Sequence, residues 1–159
     1  MTTPPLPARF GVQFGIVSHQ YSGLMARLLE RHGLTYAQFV LLLHLMRRGE
    51  PARISDIAQA IDLTQSAVTK IVQKFMGLGW VTTHADSQDQ RSRPVQITDQ
   101  GRAVATAIQQ GFGPAFARLL DGWDSDDLLR LLADLQRLSE TLGQMKAAPD
   151  APPPVRKDG

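Results

Sequence analysis

The sequence predicts a mainly α chain with one small β-hairpin. Helices from both chain ends flank a helix-turn-helix lobe. Three observations carry this. Apolar residues recur at helical spacing through most of the 159 residues. Two short helical segments, from about residue 55 and from Thr64, are joined by about three residues, which is helix-turn-helix spacing. Residues 80–84 and 95–98 are rich in β-formers and bracket a polar, turn-forming stretch.

Taken in order, residues 1–7 hold Pro4, Pro5 and Pro7 and read as a loose tail. Phe10, Phe14, Val17, Tyr21, Leu24 and Leu28 then form one apolar stripe, predicting a first helix over 8–32 that stops at Gly33. Thr35 and Gln38 form a capping-box pattern for a second helix. Its apolar positions are Phe39, Leu42, Leu43 and Met46, and it ends at Gly49. The helix-turn-helix is expected over 54–78. Ser55 caps its first helix, Thr64 caps its second, and Gly77 or Gly79 stops it. A hairpin follows over 80–98. Thr98 caps the next helix, and Gly111, Gly113 and Pro114 break it. Ser125, Asp126 and Asp127 suit the start of a last helix, cap first and acids at the positive dipole end. Its stripe is Leu128, Leu131, Leu132, Leu135, Leu138 and Leu142. Residues 146–159, with Pro149, Pro152, Pro153 and Pro154, read as a second tail. A helix-turn-helix followed by a hairpin is a winged helix. Here it lies in one domain spanning 8–145, with long helices over 8–32 and 99–145.

Composition narrows the function. Basic residues number 17 and acidic residues 15, for a net charge of +2. The excess is too small to argue for nucleic acid by itself, so charge distribution must decide. Cysteine is absent, which excludes a disulfide scaffold, thiolate metal sites and thiol catalysis, and favours a cytoplasmic location. No segment approaches the roughly 20 apolar residues of a membrane span. The N-terminus lacks a signal-peptide layout.

On the helix after Thr64, helical spacing gathers Val68, Ile71, Val72 and Phe75 on one side. Ser66, Thr69, Lys70, Gln73 and Lys74 gather on the other. From Leu63 to His84 there are two lysines and no acid. Short donors and acceptors near the helix start fit a major groove. Thr64, Gln65, Ser66 and Thr69 are candidates for base edges. Lys70, Gln73 and Lys74 are candidates for phosphates or further base contacts. The alternative is a solvated face on an ordinary amphipathic helix. Arg91 and Arg93, on a thin exposed loop, make a minor-groove probe, because guanidinium is weakly hydrated and drawn to a narrow groove. Asp86 and Asp89 would be repelled by phosphate, so their expected job is to support the wing and aim an arginine.

The pattern Asp86-x-x-Asp89-x-Arg91-x-x-x-Val95-x-Ile97-Thr98-x-x-Gly101 resembles the wing motif of the MarR family of bacterial winged-helix regulators. The run from Ser66 through Thr69 and Gly79 to Val81 is similar to the family's recognition helix and glycine stop. The resemblance covers roughly residues 8–145. It implies a homodimer whose terminal helices interdigitate, repression at palindromic operators, and release by a small, often phenolic, anion. It places Ser66, Thr69, Lys70 and Lys74 on the recognition helix and makes Arg91 the wing arginine, steadied by Asp89. Two departures stand out. Thr82-Thr83-His84 precedes the wing where relatives carry charge, and Met76 replaces a common glutamate. The missing cysteine excludes the thiol switch of one branch.

Rival readings fare worse. No nucleophile elbow, zincin motif or phosphate-binding glycine loop is present, so an enzyme is not expected. His19, His32, His44 and His84 offer no i, i+4 pair, so neither a metal nor another cofactor is expected. His19, Tyr36 and His44 are candidates for an effector pocket where the terminal helices meet the lobe. The alternative function is a winged-helix protein-interaction module without DNA binding. It predicts an apolar recognition face and a flat salt response, whereas DNA binding weakens steeply with salt.

Overall fold

The structure, a computed structural model, describes residues 4–84 and 93–147. The element order is α1 (Leu6–Glu30), α2 (Tyr36–Arg48), α3 (Ile54–Ala60), α4 (Gln65–Gly77), β1 (Val81–Thr83), β2 (Val95–Ile97), α5 (Asp99–Gln110), α6 (Gly113–Leu119) and α7 (Ser125–Ala147). This is the mainly α, winged-helix architecture with a two-stranded antiparallel hairpin. The chain divides into two compact units, residues 1–114 and 115–159. Among the described residues, no helix is long and apolar enough to cross a membrane.

In the first unit, α1 starts inside the expected tail. Pro5 is its N-cap and Pro7 sits in its first turn, where a missing N–H costs nothing. Those prolines begin the helix rather than preceding it. The stripe read from sequence is only partly inward. Met25 and Leu29 are the buried residues of α1, while Phe10 and Val17 are about half exposed. Gly33, at φ +63°, ends the turn, and the Leu34 amide bonds back to the Leu29 carbonyl.

The capping box forms as read. The Gln38 amide donates to Thr35 Oγ1, and the Thr35 amide donates to Gln38 Oε1, both at 3.2 Å. In α2 the fully buried residues are Phe39, Leu41, Leu42 and Leu45, whereas Leu43 and Met46 are only half-buried. Phe39 meets Phe112 edge-on at 5.3 Å, closing the core against the end of α5. Arg102 donates to the Met46 carbonyl at 3.2 Å, joining α5 to α2.

Two caps differ from the sequence reading for one reason. Serine at a helix start is a good cap only if its backbone is still extended. Arg53 is the N-cap of α3, and Ser55 lies inside the helix with its hydroxyl on Asp56. Asp124, not Ser125, caps α7, its Oδ1 accepting from the Asp127 amide at 2.7 Å.

The hairpin register pairs Val81 with Ile97 and Thr83 with Val95, and Val81, Val95 and Ile97 are buried. Ala52 adds a bridge that the sequence did not signal, with reciprocal bonds to Val95 at 2.9 and 2.8 Å. Thr98 caps α5 by accepting from the Gly101 amide and donates its own proton to the Gly79 carbonyl at 2.7 Å. The break at Gly111 occurs as expected, and Arg31 donates to its carbonyl at 3.0 Å.

In the second unit, α7 carries ion pairs between Asp127 and Arg130 and between Asp134 and Arg137. Leu131, Leu132, Leu135 and Leu142 of its stripe are exposed.

Candidate nucleic-acid interface

α4 presents one face outward because the other is consumed by the core. Val68 and Phe75 have no exposed surface, and Ile71 and Val72 are buried. Helical geometry then leaves Gln65, Ser66, Lys70 and Gln73 exposed on the far side, with Thr69 half-buried at its edge. That face carries amides, a hydroxyl and an ammonium, with no carboxylate between Leu63 and His84. It is chemically matched to base edges and phosphates.

The individual groups are not equivalent. Thr64 Oγ1 accepts from the Ala67 amide at 3.2 Å, so its oxygen serves as the helix cap. Thr69 donates its hydroxyl proton to the Gln65 carbonyl at 2.8 Å. It therefore faces a partner as an acceptor and a methyl group. Lys74 is exposed as well, and its Nζ lies 3.0 Å from the Gly33 carbonyl oxygen and 3.0 Å from Gln38 Oε1 at the surface of the lobe. Gln38 and Gly33 were not read as site residues. The only sequence signal for Gln38 was its place in the capping box.

Arg93 is exposed just before β2. Asp86, Asp89 and Arg91 lie outside the described residues. The strands that launch the loop are fixed at both ends, since the His84 amide donates to the Pro94 carbonyl at 3.1 Å and the Thr98 amide to the Trp80 carbonyl at 2.9 Å.

The three effector candidates do not converge. His19 is exposed on α1. Tyr36 lines a groove with Ala26, Arg27, Glu30, Leu34 and Thr35 at the α1–α2 turn. Its ring meets Tyr21 edge-on at 6.2 Å, and burial, then the neighbouring Tyr36, pushes the Tyr21 hydroxyl pKa up. His44 lines a separate groove with Val40, Leu43, Arg47, Arg48 and Ile61. Its Nε2 is buried with no hydrogen-bond partner among the described residues. Burial, then the Arg48 and Arg47 charges, holds its pKa below the ordinary 6.5.

That depression sets a pH dependence. An unfolded His44 binds a proton below about pH 6.5, while the folded one resists it until lower pH. Between those points the unfolded state holds more protons, so stability falls as pH falls. Thermal melts at about pH 7.5 and about pH 5.5 should show His44→Gln losing less of its melting temperature on acidification than the parent. An equal loss in both proteins would mean that His44 contributes none of the dependence.

Among the described residues, no group of three His, Asp or Glu side chains could hold a metal ion.

The model of the MarR family matches residues 32–92, spanning the helix-turn-helix and the start of the wing. The HTH-type transcriptional repressor MdtR of Bacillus subtilis is 25% identical over 120 residues, covering 74% of this chain and 77% of MdtR. The HTH-type transcriptional regulator PecS of Dickeya dadantii is 25% identical over 118 residues, covering 73% of this chain and 71% of PecS. These relatives are regulators, not enzymes. A MarR-family regulator from Rhodococcus sp. RHA1 superposes with a TM-score of 0.74 at 18% identity, over 86% of this chain and 96% of that one. The family model over residues 32–92, the regulators matched at 25% identity and the shared fold agree in making this chain similar to the MarR family of transcriptional regulators.

Proposed function

We propose that two copies of the chain pair through α1 and α7 and repress transcription in the cytoplasm by occupying a palindromic operator. The acid-free outer face of α4 carries the reading. Two such helices, set about one helical turn (~34 Å) apart, would enter successive major grooves, with Gln65, Ser66 and Thr69 toward base edges and Lys70 toward phosphate. Arg91 and Arg93 would reach the flanking minor grooves. Exposed apolar residues on each terminal helix (Phe10 and Val17 on α1, Leu132 and Leu135 on α7) support pairing. A small aromatic acid in a groove such as that beside Tyr36 would release the DNA by shifting the lobes, a coupling typically of ~1–3 kcal/mol.

Fragments selected from genomic DNA by the protein, titrated across salt, test this. Affinity should fall steeply, by roughly 0.9 log units per log unit of salt for each neutralised phosphate. Lys70→Ala should flatten that slope by about one contact. Arg91→Ala should lose affinity while leaving the dimer intact, and unchanged affinity would remove the wing from the interface. A flat salt response would favour the protein-partner alternative. Selected fragments that avoid promoters would remove repression, and binding indifferent to every aromatic acid added would remove the effector.

A further inference from the structure

We propose that Lys74 is a positioning residue that locks the recognition helix onto the α1–α2 turn, rather than a phosphate ligand. The proposal rests on reading α4 as the DNA-reading helix. Both acceptors of the Lys74 ammonium are remote in sequence, 41 and 36 residues away, yet they belong to one small structure. Gly33 forms the left-handed turn after α1. Gln38 is the capping-box residue of α2, and its Oε1 already accepts the Thr35 amide. One oxygen therefore takes a backbone donor from the start of α2 and a charged donor from α4.

The packing of α4 explains why such a lock matters. Its inner face is held by Val68, Ile71, Val72 and Phe75, and apolar contact has no direction of its own. Hydrogen bonds to fixed acceptors do have direction. The C-terminal end of α4 is tied on two sides. Lys74 reaches the α1–α2 turn on one side. On the other, the carbonyls of Leu78 and Gly79 accept from Gln100 Nε2 and Thr98 Oγ1 at 3.4 and 2.7 Å. The opposite end carries Gln65 and Ser66. Ser66 lies eight residues from Lys74, or about 12 Å along the axis. A tilt of roughly 10° about Lys74 would move Ser66 by about 2 Å, enough to lose a hydrogen bond to a base edge. An exposed ammonium adds little to folding stability, so the effect should appear in recognition and not in melting.

The full-length protein with Lys74→Met, with Gln38→Ala and with both tests the lock. Without DNA, amide exchange at Thr35 should speed several-fold in Lys74→Met, because Gln38 loses the group that steadies its side chain. Unchanged exchange there overturns the proposal. With DNA, anisotropy titrations compare a duplex enriched from random DNA by the parent protein with a scrambled duplex of the same composition. Each single variant should lower the enriched-to-scrambled ratio by about tenfold, and the double variant by about the same factor, with the salt exponent unchanged. Losses that multiply in the double variant overturn it. So does an equal loss on both duplexes with the salt exponent lowered by about 0.9, which is the signature of a phosphate contact. Lys74→Arg, which keeps the charge and the donors, should retain most of the ratio. A parent protein that prefers no duplex would instead defeat the DNA-reading assignment of α4, while the exchange measurement still decides the lock.

Discussion

Gly101→Ala should lower the melting temperature by about 10 °C or more, because the winged lobe has no room for one added methyl. A Cβ at Gly101 would fall 2.2 Å from the Trp80 carbonyl oxygen and 2.9 Å from Ile97 Cγ1. The nearer obstacle is backbone, and it is pinned. The Trp80 carbonyl accepts the Thr98 amide, and the Trp80 amide donates to the Phe75 carbonyl, both at 2.9 Å. Relief would require separating α5 from the end of α4 or breaking the Thr98 cap. Overpacking of this kind typically costs ~1–3 kcal/mol, and a backbone clash lies at or beyond the upper end. Stability of a domain this size is typically only ~5–15 kcal/mol in total. Glycine-to-alanine within a helix ordinarily stabilises by up to ~1 kcal/mol, so the sign itself is diagnostic. Gly77→Ala, with open space around its Cβ, is the control and should be neutral or slightly stabilising. A Gly101→Ala protein that melts with or above the parent would show that α5 does not sit this tightly on Trp80.

Replacing Leu132 and Leu135 together by aspartate should convert the proposed dimer into a monomer. Both side chains are exposed in the single chain, at 52% and 44%, and both belong to the stripe of α7. Burying a leucine is worth ~1.5–3 kcal/mol. Two-fold symmetry doubles the count to four leucines, each with about half its surface left to bury, or about 3–6 kcal/mol of lost burial. Each 1.4 kcal/mol is about tenfold in affinity, so the dissociation constant should rise by at least about two decades. Light scattering should then report a single chain, with helical content largely retained, since aspartate on an exposed helix face costs only tenths of a kcal/mol. A dimer that survives both substitutions would place the interface elsewhere.

What could be read in advance follows the range of the forces involved. The caps at Thr35, Thr64 and Thr98 depend on bonds to residues three positions away, so the local pattern sufficed. Gly49 at φ +76° and Gly79 at φ +72° end their segments because only glycine accepts that backbone cheaply. The inward face of α4 followed from helical spacing alone, and with it the outward set, of which Ser66, Lys70, Gln73 and Lys74 are exposed and Thr69 is half-buried. Where two local solutions competed, as at Ser55 and Ser125, neighbouring residues took the capping position. The choice depended on where each helix began, which composition does not encode.

The amino-acid order by itself established the succession of elements, the winged lobe and the chemistry of the outer face of α4, because each arises from contacts within a turn or two of chain. Tertiary structure decided which part of α1 is buried, through Met25 and Leu29, and joined Ala52 to Val95. It also brought the Lys74 ammonium within 3.0 Å of the Gly33 carbonyl and of Gln38 Oε1. These are partnerships between residues dozens of positions apart. They exist only after the chain has packed, when a directional donor meets whichever acceptor the fold has brought within 3 Å.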